Sequence, residues 1–471
     1  MSLRWMAAVA AVLVLDACGP GYRRPPSTSI TPPPAFRGAA ADTTPTDPAS
    51  LADLKWFELL KDEQLQELIR TALAQNYDLR DAVVRVEAAR ANLGITRADQ
   101  FPNVGASADI TALRFSRGGS FPVPEDFSQR RTFGGFAANL LSFELDIWGR
   151  LRRATDSARA SLLATEENRK AVVTTLVSEV AGSYFNLLAL DAEIGIARRT
   201  LATREESLNV IGVRQERGLA TLLDVRQAEQ LVNTAAQTVV GFERLIEQTE
   251  NQISLLLGQH PGPISRGRPL LAQEQPPAAP PGLPSSLLQR RPDITAAEKN
   301  LVASNALVDV ARASYFPRIS LTGFLGTQSD ALTNLFSGST RVWQFVPQLT
   351  QPTVIGGRLR SNERLARAQE RLALIEYERV VQTAFREVSD ALIQHRKTRE
   401  IRYQQEALVA TLQDRSRLSY VRYHGGIDTL LNALDADRDL FAAELGLTQA
   451  RRDELLALVQ LYRALGGGWQ Q

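Results

Sequence analysis

The hydrophobic period of the sequence changes between residues 141 and 153, and this change constrains the fold more than any other feature. From 133 to 147, apolar side chains recur at every second position, which is typical of a β-strand with two different faces. From Arg150 to about Arg217 they recur every three or four positions, as in a helix. At ~1.5 Å per residue this helix is roughly 100 Å long, which predicts a coiled-coil element.

The same strand-to-helix junction occurs twice. Residues 149–152 read GRLR, and so do residues 357–360, which lie 208 positions later. Further matches at this separation are Val172-Val173 with Val380-Val381, Gly218 with Gly426, Thr221-Leu222-Leu223 with Thr429-Leu430-Leu431, and Leu257-Gly258 with Leu465-Gly466. So many matches in one register indicate an internal two-fold duplication.

Each half is predicted to contain one helix, a β-hairpin and two long helices. In the first half we expect a helix from 56 to about 99, strands at about 103–115 and 132–147, and helices at about 150–217 and 221–257. In the second half we expect a helix from 291, strands at about 318–326 and 341–351, and helices at about 358–423 and 429–465. Phe101 and Phe316 are 215 residues apart, so the second hairpin is predicted to be seven residues shorter, at its loop.

The predicted organisation has six segments. They are a signal peptide (1–17), a lipidated cysteine with an extended Pro-rich tether (18–55), a first repeat (56–258), a Pro-rich linker (259–290), a second repeat (291–465) and a C-terminal tail (466–471).

The first residues resemble a secretory leader. Arg4 precedes a short apolar run, and residues 15–18, LDAC, resemble a bacterial lipoprotein cleavage box. We therefore expect Cys18, the only cysteine, to be acylated, for instance with palmitate. Asp16 is unusual in such a box, so a plain thiol in a cleaved leader is the alternative.

Composition excludes several function classes. The formal net charge is only +2, so nucleic acid is not an expected partner. The three histidines are scattered and lack metal-ligand spacing, and no phosphate-binding glycine loop occurs. We expect no enzyme activity, no cofactor and no metal site.

The strands themselves predict an oligomer. They are long enough to cross a membrane obliquely, but four strands cannot close a barrel and open edges do not survive in hydrocarbon. Three copies would supply ~12 strands, an even number within the known range. The alternative at this point is a soluble helical lipoprotein, which leaves the very long helices unexplained.

Five segments carry a resemblance to a known family. They are 141–153 (LSFELDIWGRLRR), 287–326 (LLQRRPDITAAEKNLVASNALVDVARASYFPRISLTGFLG), 351–360 (QPTVIGGRLR), 384–392 (AFREVSDAL) and 425–440 (GGIDTLLNALDADRDL). The chain resembles the TolC/OprM-like outer-membrane efflux channels, in particular the NodT-type lipoproteins.

The resemblance implies an α+β membrane protein that works as a homotrimer. A 12-stranded β-barrel, four strands per chain, would continue into an α-helical coiled-coil barrel in the periplasm, with an equatorial region built from the chain ends and the linker. The channel would sit among outer-membrane lipid and dock with a periplasmic adaptor (membrane fusion protein) and an inner-membrane pump of the RND type. It would be a passive exit duct for drugs or other small molecules, and so a contributor to antibiotic resistance. A type I protein-secretion channel and a non-conducting structural lipoprotein are the alternatives.

The resemblance also places the candidate site at the two helix turns farthest from the barrel. Asp428 and Asp435 match acidic tip positions of the family, and Asp224 is their counterpart in the first half. Trimer symmetry would form a ring of three from each carboxylate. The turn residues expected to contact the adaptor are Gly218, Thr221, Leu222, Gly425, Gly426, Thr429 and Leu430. A helix cap for Asp428 and solvated helix acids for the other two are the alternative interpretations.

Several other side chains are also candidates for a functional role. A latch that pairs with the tip acids is one hypothesis for Arg214, Arg217, Tyr420, Arg422 and Tyr423, and an exposed charged coiled-coil face is the other. Trp148 and Trp343 are expected to be membrane-interface anchors, and core packing is the alternative for Trp148. Glu144 and Asp146 are expected on the wet side of the strand-to-helix junction.

Overall fold

The structure, a computed structural model, describes residues 33, 35–38, 50–116, 126, 128–273, 282, 284–353 and 355–470, with the side chain of residue 332 excepted. The predicted signal peptide, Cys18 and most of the predicted tether lie outside the described residues.

The described residues of the first half form five helices and two strands. They are α1 (Trp56–Leu59), α2 (Glu63–Gln75), α3 (Tyr77–Ala98), β1 (Asn103–Arg114), β2 (Arg130–Glu144), α4 (Arg150–Glu216) and α5 (Leu222–Leu256). The region predicted as one helix from 56 to 99 is thus three helices. Asp62 begins α2 by accepting hydrogen bonds from the backbone of Gln64 and Leu65, and Asn76 separates α2 from α3.

The second half repeats this plan after the linker. The linker contains α6 (Pro284–Arg290), and the described residues after it form α7 (Pro292–Ala313), β3 (Arg318–Ser329), β4 (Arg341–Thr350), α8 (Arg358–His424) and α9 (Leu430–Ala464). Short 3-10 turns lie at Leu51–Asp53 and Leu270–Ala272, before α6, and at Leu332–Asn334 and Gly338–Thr340, between β3 and β4. The segment interpreted as a Pro-rich linker contains helix α6. A helix can form there because Pro284 occupies its first position, where proline is compatible with a helix. Helices α4 and α8 each have 67 residues and contain no proline.

The second hairpin is shorter, but not at its loop alone. Strand β4 has 10 residues, whereas the corresponding β2 has 15. The prediction that the whole deficit lies in the loop is therefore wrong.

The chain divides into two compact units. The strand unit contains residues 86–165 and 297–377, and the helical unit contains residues 28–85, 166–296 and 378–471.

The strand unit is built on one antiparallel sheet in the order β1-β2-β3-β4. Opposite residues in an antiparallel ladder share a face. Pairing of Val104 with Leu140, and of Leu325 with Trp343, creates an apolar face. The exposed apolar residues on this face are Val104, Ile110, Phe136, Leu325, Trp343, Phe345 and Leu349.

The opposite face of the sheet is mostly polar. It carries Ser107, Asp109, Thr111, Asn139, Ser320, Thr322, Gln328, Gln344 and Gln348. Asn139 donates a hydrogen bond of 2.9 Å to Ser107 across the β1–β2 pair. A sheet with one apolar exposed face and one polar face suits a barrel that has lipid outside and water inside.

The single apolar parity predicted for 133–147 is wrong in detail. A β-bulge shifts the register after Leu140, so Phe143 pairs with Leu321 on the apolar face. Before the bulge, Phe133 pairs with Thr111 on the polar face. One inserted residue thus reverses which parity faces which side.

The structure assigns a role to the two acids near the strand-to-helix junction and to the two candidate anchor tryptophans. Asp146 accepts hydrogen bonds of 3.0 and 2.9 Å from the first turn of α4, and Glu144 pairs with Arg150 at 2.7 Å, so both acids stabilise the junction. Trp148 donates to the Pro317 carbonyl at 2.8 Å and stacks on Phe316, so it is a packing residue. Trp343 is 75% exposed on the apolar face, as expected of an interface anchor.

Two repeat-related contacts end the return helices in the helical unit. The Asn76 side chain donates 2.9 Å to the carbonyl of Leu256, and Arg291 donates 3.0 Å to that of Ala464. Arg291 also pairs with Asp293 and, at 2.8 Å, with Glu387. The duplication therefore preserves the capping contact while replacing a neutral donor with a charged one.

Among the described residues, one helix, α4, contains an 18-residue window apolar enough to cross a membrane. This window is 61% buried within the chain, as expected for a core helix.

Candidate functional site: the paired helix turns

The turn between α4 and α5 is a glycine-ended helix terminus. Gly218 has a φ of 69°, in the left-handed region that glycine adopts without strain. The Leu219 amide donates to the carbonyl of Arg214 at 2.8 Å, and the Gly218 amide donates to that of Gln215 at 2.9 Å. This bonding satisfies carbonyls at the end of α4 and reverses the chain.

The turn between α8 and α9 has the same geometry 208 residues later. Gly426 has a φ of 72°, the Ile427 amide donates to the Arg422 carbonyl at 3.0 Å, and the Gly426 amide donates to that of Tyr423 at 3.0 Å. The repeated glycine therefore corresponds to a repeated backbone motif.

The two helices that leave these turns begin differently. Thr221 and Asp224 form a reciprocal capping box at the start of α5, with the carboxylate accepting from the Thr221 amide at 2.8 Å. At the corresponding position α9 has Asn432, and Thr429 makes no side-chain cap. Instead Asp428 accepts from the Thr429 amide at 2.8 Å and from the Asn432 side chain at 2.6 Å.

The Asp428 carboxylate stays ionised at neutral pH. Hydrogen bonds from Asn432 and the Thr429 amide, followed by Arg422, lower its pKa below the ordinary value. The Nε atom of Arg422 lies 3.2 Å from the Asp428 carboxylate. Asp435, by contrast, forms a local ion pair with Arg438 at 3.0 Å.

Among the described residues, the remaining latch candidates form no ion pair or hydrogen bond with the tip acids. The Arg214 guanidinium lies 5.1 Å from the centre of the Tyr423 ring, in a cation–π arrangement. Burial, and then the negative charge of Asp437, raise the pKa of Tyr420. Arg217 is exposed. Of the five candidates, only Arg422 pairs with a predicted gate residue.

A small apolar core joins the two turns. It contains Ile211, Ala228, Leu430 and Leu434, with Leu208, Ala220, Val225, Leu231 and Tyr423 packed against it. Leu430, predicted as an adaptor contact, is buried here, so this surface role for Leu430 does not fit the structure. Its repeat partner Leu222 is exposed.

A buried ion pair next to this core was not predicted from the sequence. Arg204 and Asp437 are 3.0 Å apart, with side chains only 5% and 17% exposed. Arg204 also donates to the Leu231 carbonyl and lies over the Phe441 ring, so it connects α4, α5 and α9. The sequence does contain an indication of this pair, because Arg204 and Asp437 both occupy positions of an apolar heptad stripe.

The ends of the turns expose large apolar side chains. They are Leu219, Leu222, Leu223, Ile427 and Leu431, and Ile427 reaches 72% exposure. Such side chains grouped at one end of a helical unit are typical of a protein–protein contact. Within the described part of the chain, no group of three or more potential metal ligands occurs.

Known proteins are similar to this chain over nearly its full length. A family model described as outer membrane efflux protein matches residues 68–259 and 283–467. The outer membrane protein OprJ of Pseudomonas aeruginosa is 38% identical over 477 residues, which cover 99% of this chain and 96% of OprJ. The probable efflux pump outer membrane protein TtgC of Pseudomonas putida is 37% identical over 466 residues, which cover 97% of this chain and 94% of TtgC.

A solved structure has the same fold. The open state of the MtrE outer membrane channel of Neisseria gonorrhoeae is 30% identical, with a TM-score of 0.85, and the match covers 96% of this chain and 98% of MtrE.

Proposed function

The chain belongs to the outer membrane efflux protein family, and we propose that it is the passive exit duct of a tripartite efflux system. Its place is the outer membrane, and its fold is the α+β channel fold of its structural relatives. Drugs and other small molecules are the proposed cargo, and an inner-membrane pump of the RND type is the proposed source of energy.

The two-faced sheet with open edges is the observation that carries the proposal. β1 and β4 are the edge strands of a four-stranded sheet whose apolar face is exposed. Unpaired backbone groups are costly in hydrocarbon, so each edge requires a strand from another copy. Three copies supply ~12 strands with a polar interior. The functional unit proposed is therefore a homotrimer, with Cys18 as an additional lipid anchor.

The paired turns are the proposed periplasmic gate. In a trimer each carboxylate of Asp224, Asp428 and Asp435 has two symmetry mates, and a ring of carboxylates favours cations. The structure gives each acid a local partner as well, so these residues both shape the turn and supply its charge. The exposed apolar side chains around Ile427 are the proposed adaptor contact. An adaptor that binds the open tip more tightly than the closed tip would shift the channel toward the open state.

Single-channel conductance tests this proposal. We expect purified protein in a planar bilayer to give small, cation-selective currents. Asp428→Ala should give larger or less selective currents, because it removes the charge and the contact with Arg422. Asp414→Ala is the matched control, since this acid pairs with Arg417 in the interior of α8. Identical currents in wild type and Asp428→Ala would remove Asp428 from the gate, and absence of any current from folded oligomers would refute the duct.

A further inference from the structure

Two arginines lie directly opposite each other at the loop end of the β1–β2 hairpin. The register pairs Arg114 with Arg130, and both are exposed. The Phe115 amide donates 2.7 Å to the Gln129 carbonyl, so residues 115 and 129 form a hydrogen-bonded pair. Residues 114 and 130 are then a non-hydrogen-bonded pair, in which opposite side chains approach most closely.

The register also assigns this arginine pair to the apolar face. Arg114 has the same parity as Val104 and Ile110, and no bulge interrupts β1 between Val104 and Arg114. About 9–11 residues of a tilted strand cross the hydrocarbon. Arg114 is the last of the 12 residues of β1, so the pair lies just beyond the apolar belt, where lipid headgroups begin.

Like charges directly opposite each other destabilise a strand pair. Each guanidinium group offers a planar fork of N–H donors, which matches the oxygens of a phosphate group in bidentate fashion. A phosphate bound between them would replace the repulsion by two charge-assisted contacts.

We propose that Arg114 and Arg130 bind the phosphate group of a phosphorylated lipid in the outer leaflet, and that this contact holds the barrel at its level in the membrane. The orientation rests on the proposed function, since it requires the helices to lie on the periplasmic side. Arg131 provides a contrast, because it is paired with Leu113 and lies on the other face of the same strand.

Lipid retention by the full-length protein tests the proposal. Purified oligomers would be incubated with lipopolysaccharide and analysed by native mass spectrometry. We expect R114Q/R130Q to lower lipopolysaccharide affinity by roughly tenfold, as for the loss of charged hydrogen bonds. The control R131Q should retain wild-type affinity, and R114K/R130K, which keeps the charge without the planar fork, should lie between them. If the double glutamine variant does not fold, R130Q alone provides the comparison.

Two further measurements separate the possible sources of phosphate. Equal binding of chemically dephosphorylated lipopolysaccharide by the wild type would overturn the proposal. The proposal would also be overturned if inorganic phosphate bound the arginine pair as tightly as the lipid does. Conductance measured in parallel keeps the two proposals apart. R114Q/R130Q should conduct like the wild type, because the pair lies far along the sequence from the proposed gate. Wild-type oligomers that bind the lipid but do not conduct would refute the duct, whereas the lipid site depends only on the orientation of the barrel in the outer membrane.

Discussion

Arg204 and Asp437 carry charge into positions that the heptad pattern reserves for apolar residues. Arg204 continues the stripe formed by Ala197, Leu201, Leu208 and Ile211 on α4, and Asp437 continues that of Leu430, Leu434 and Phe441 on α9. A buried pair of this kind adds little net stability over an apolar pair, but removing one partner leaves an uncompensated charge. Arg204 belongs to the first repeat and Asp437 to the second, so this ion pair connects the two repeats near the tip.

Arg204→Met should therefore loosen the tip. We expect it to lower the local free energy of opening by about 3–5 kcal/mol, because Asp437 remains buried without its partner. Hydrogen exchange of the first turns of α5 and α9 measures this. Arg198→Met is the control, since its partner Glu243 is 46% exposed and a surface pair contributes about 1 kcal/mol or less. Similar protection in the two variants would contradict the role given to Arg204.

The elements of the tip depend on two glycines in the left-handed region. Gly218 and Gly426 have open space around the position of a Cβ atom, so the cost of a side chain there comes from the backbone alone. Gly212 also has open space, but it lies inside α4 without a positive φ. All three positions have room for a Cβ atom, but only Gly218 and Gly426 have a positive φ. Substitutions at the three positions can therefore distinguish the cost of backbone strain from the cost of steric crowding.

Gly218→Ala and Gly426→Ala should each destabilise the tip by about 1–2 kcal/mol, the cost of a left-handed conformation for a residue with a Cβ atom. Gly212→Ala should instead stabilise α4 by about 0.5–1 kcal/mol, since alanine favours a helix interior. Thermal unfolding monitored by circular dichroism would compare the three variants. A loss of stability for Gly212→Ala equal to that of the turn variants would show that crowding, not conformation, determines these positions.

At the scale of the whole molecule, the sheet is organised by its two faces. Leu325 lies opposite Trp343 on the apolar face, whereas Gln344, the next residue of β4, lies opposite Phe324 on the other face. Neighbouring residues thus meet different solvents once copies of the chain close a barrel in a membrane.

Leu325→Arg should impair assembly, and Gln344→Arg should not. We expect an arginine on the lipid side to cost about 2–4 kcal/mol near the middle of the bilayer. The Gln344→Arg variant should fold and should shift ion selectivity toward anions. The extent of folding into lipid vesicles, followed by conductance, measures both. Normal folding of Leu325→Arg would mean that this face does not meet lipid.

Much of the fold was predictable because its signals are local and periodic. Helix α4 was predicted at 150–217 and occupies Arg150–Glu216, and the two turns were located from the repeated glycine and Thr-Leu-Leu triplet. Strand β3 was predicted to end near Gly326 but continues to Ser329, because Thr327 and Gln328 pair with β2, which no local pattern records.

The candidate site was predicted less completely. The turns and the pairing of Arg422 with Asp428 agree with the sequence-based hypothesis, since these two residues are only six positions apart in the chain. Arg204 and Asp437 are 233 residues apart and meet only because the two helical pairs pack together. The gate role of Asp224, Asp428 and Asp435 stays a prediction, because it requires rings of carboxylates that only an assembly of several copies can form.

The sequence by itself determined the order of strands and helices, the duplication and the places where the long helices turn back. These depend on spacing along the chain and on glycines whose backbone requirements are local. Only the tertiary structure decided which face of the sheet is apolar, which acids cap helices and which arginine is buried. The physical reason is register: a single bulge at residue 141 reverses the faces of a strand, and opposite partners such as Arg114 and Arg130 are set by pairing between segments.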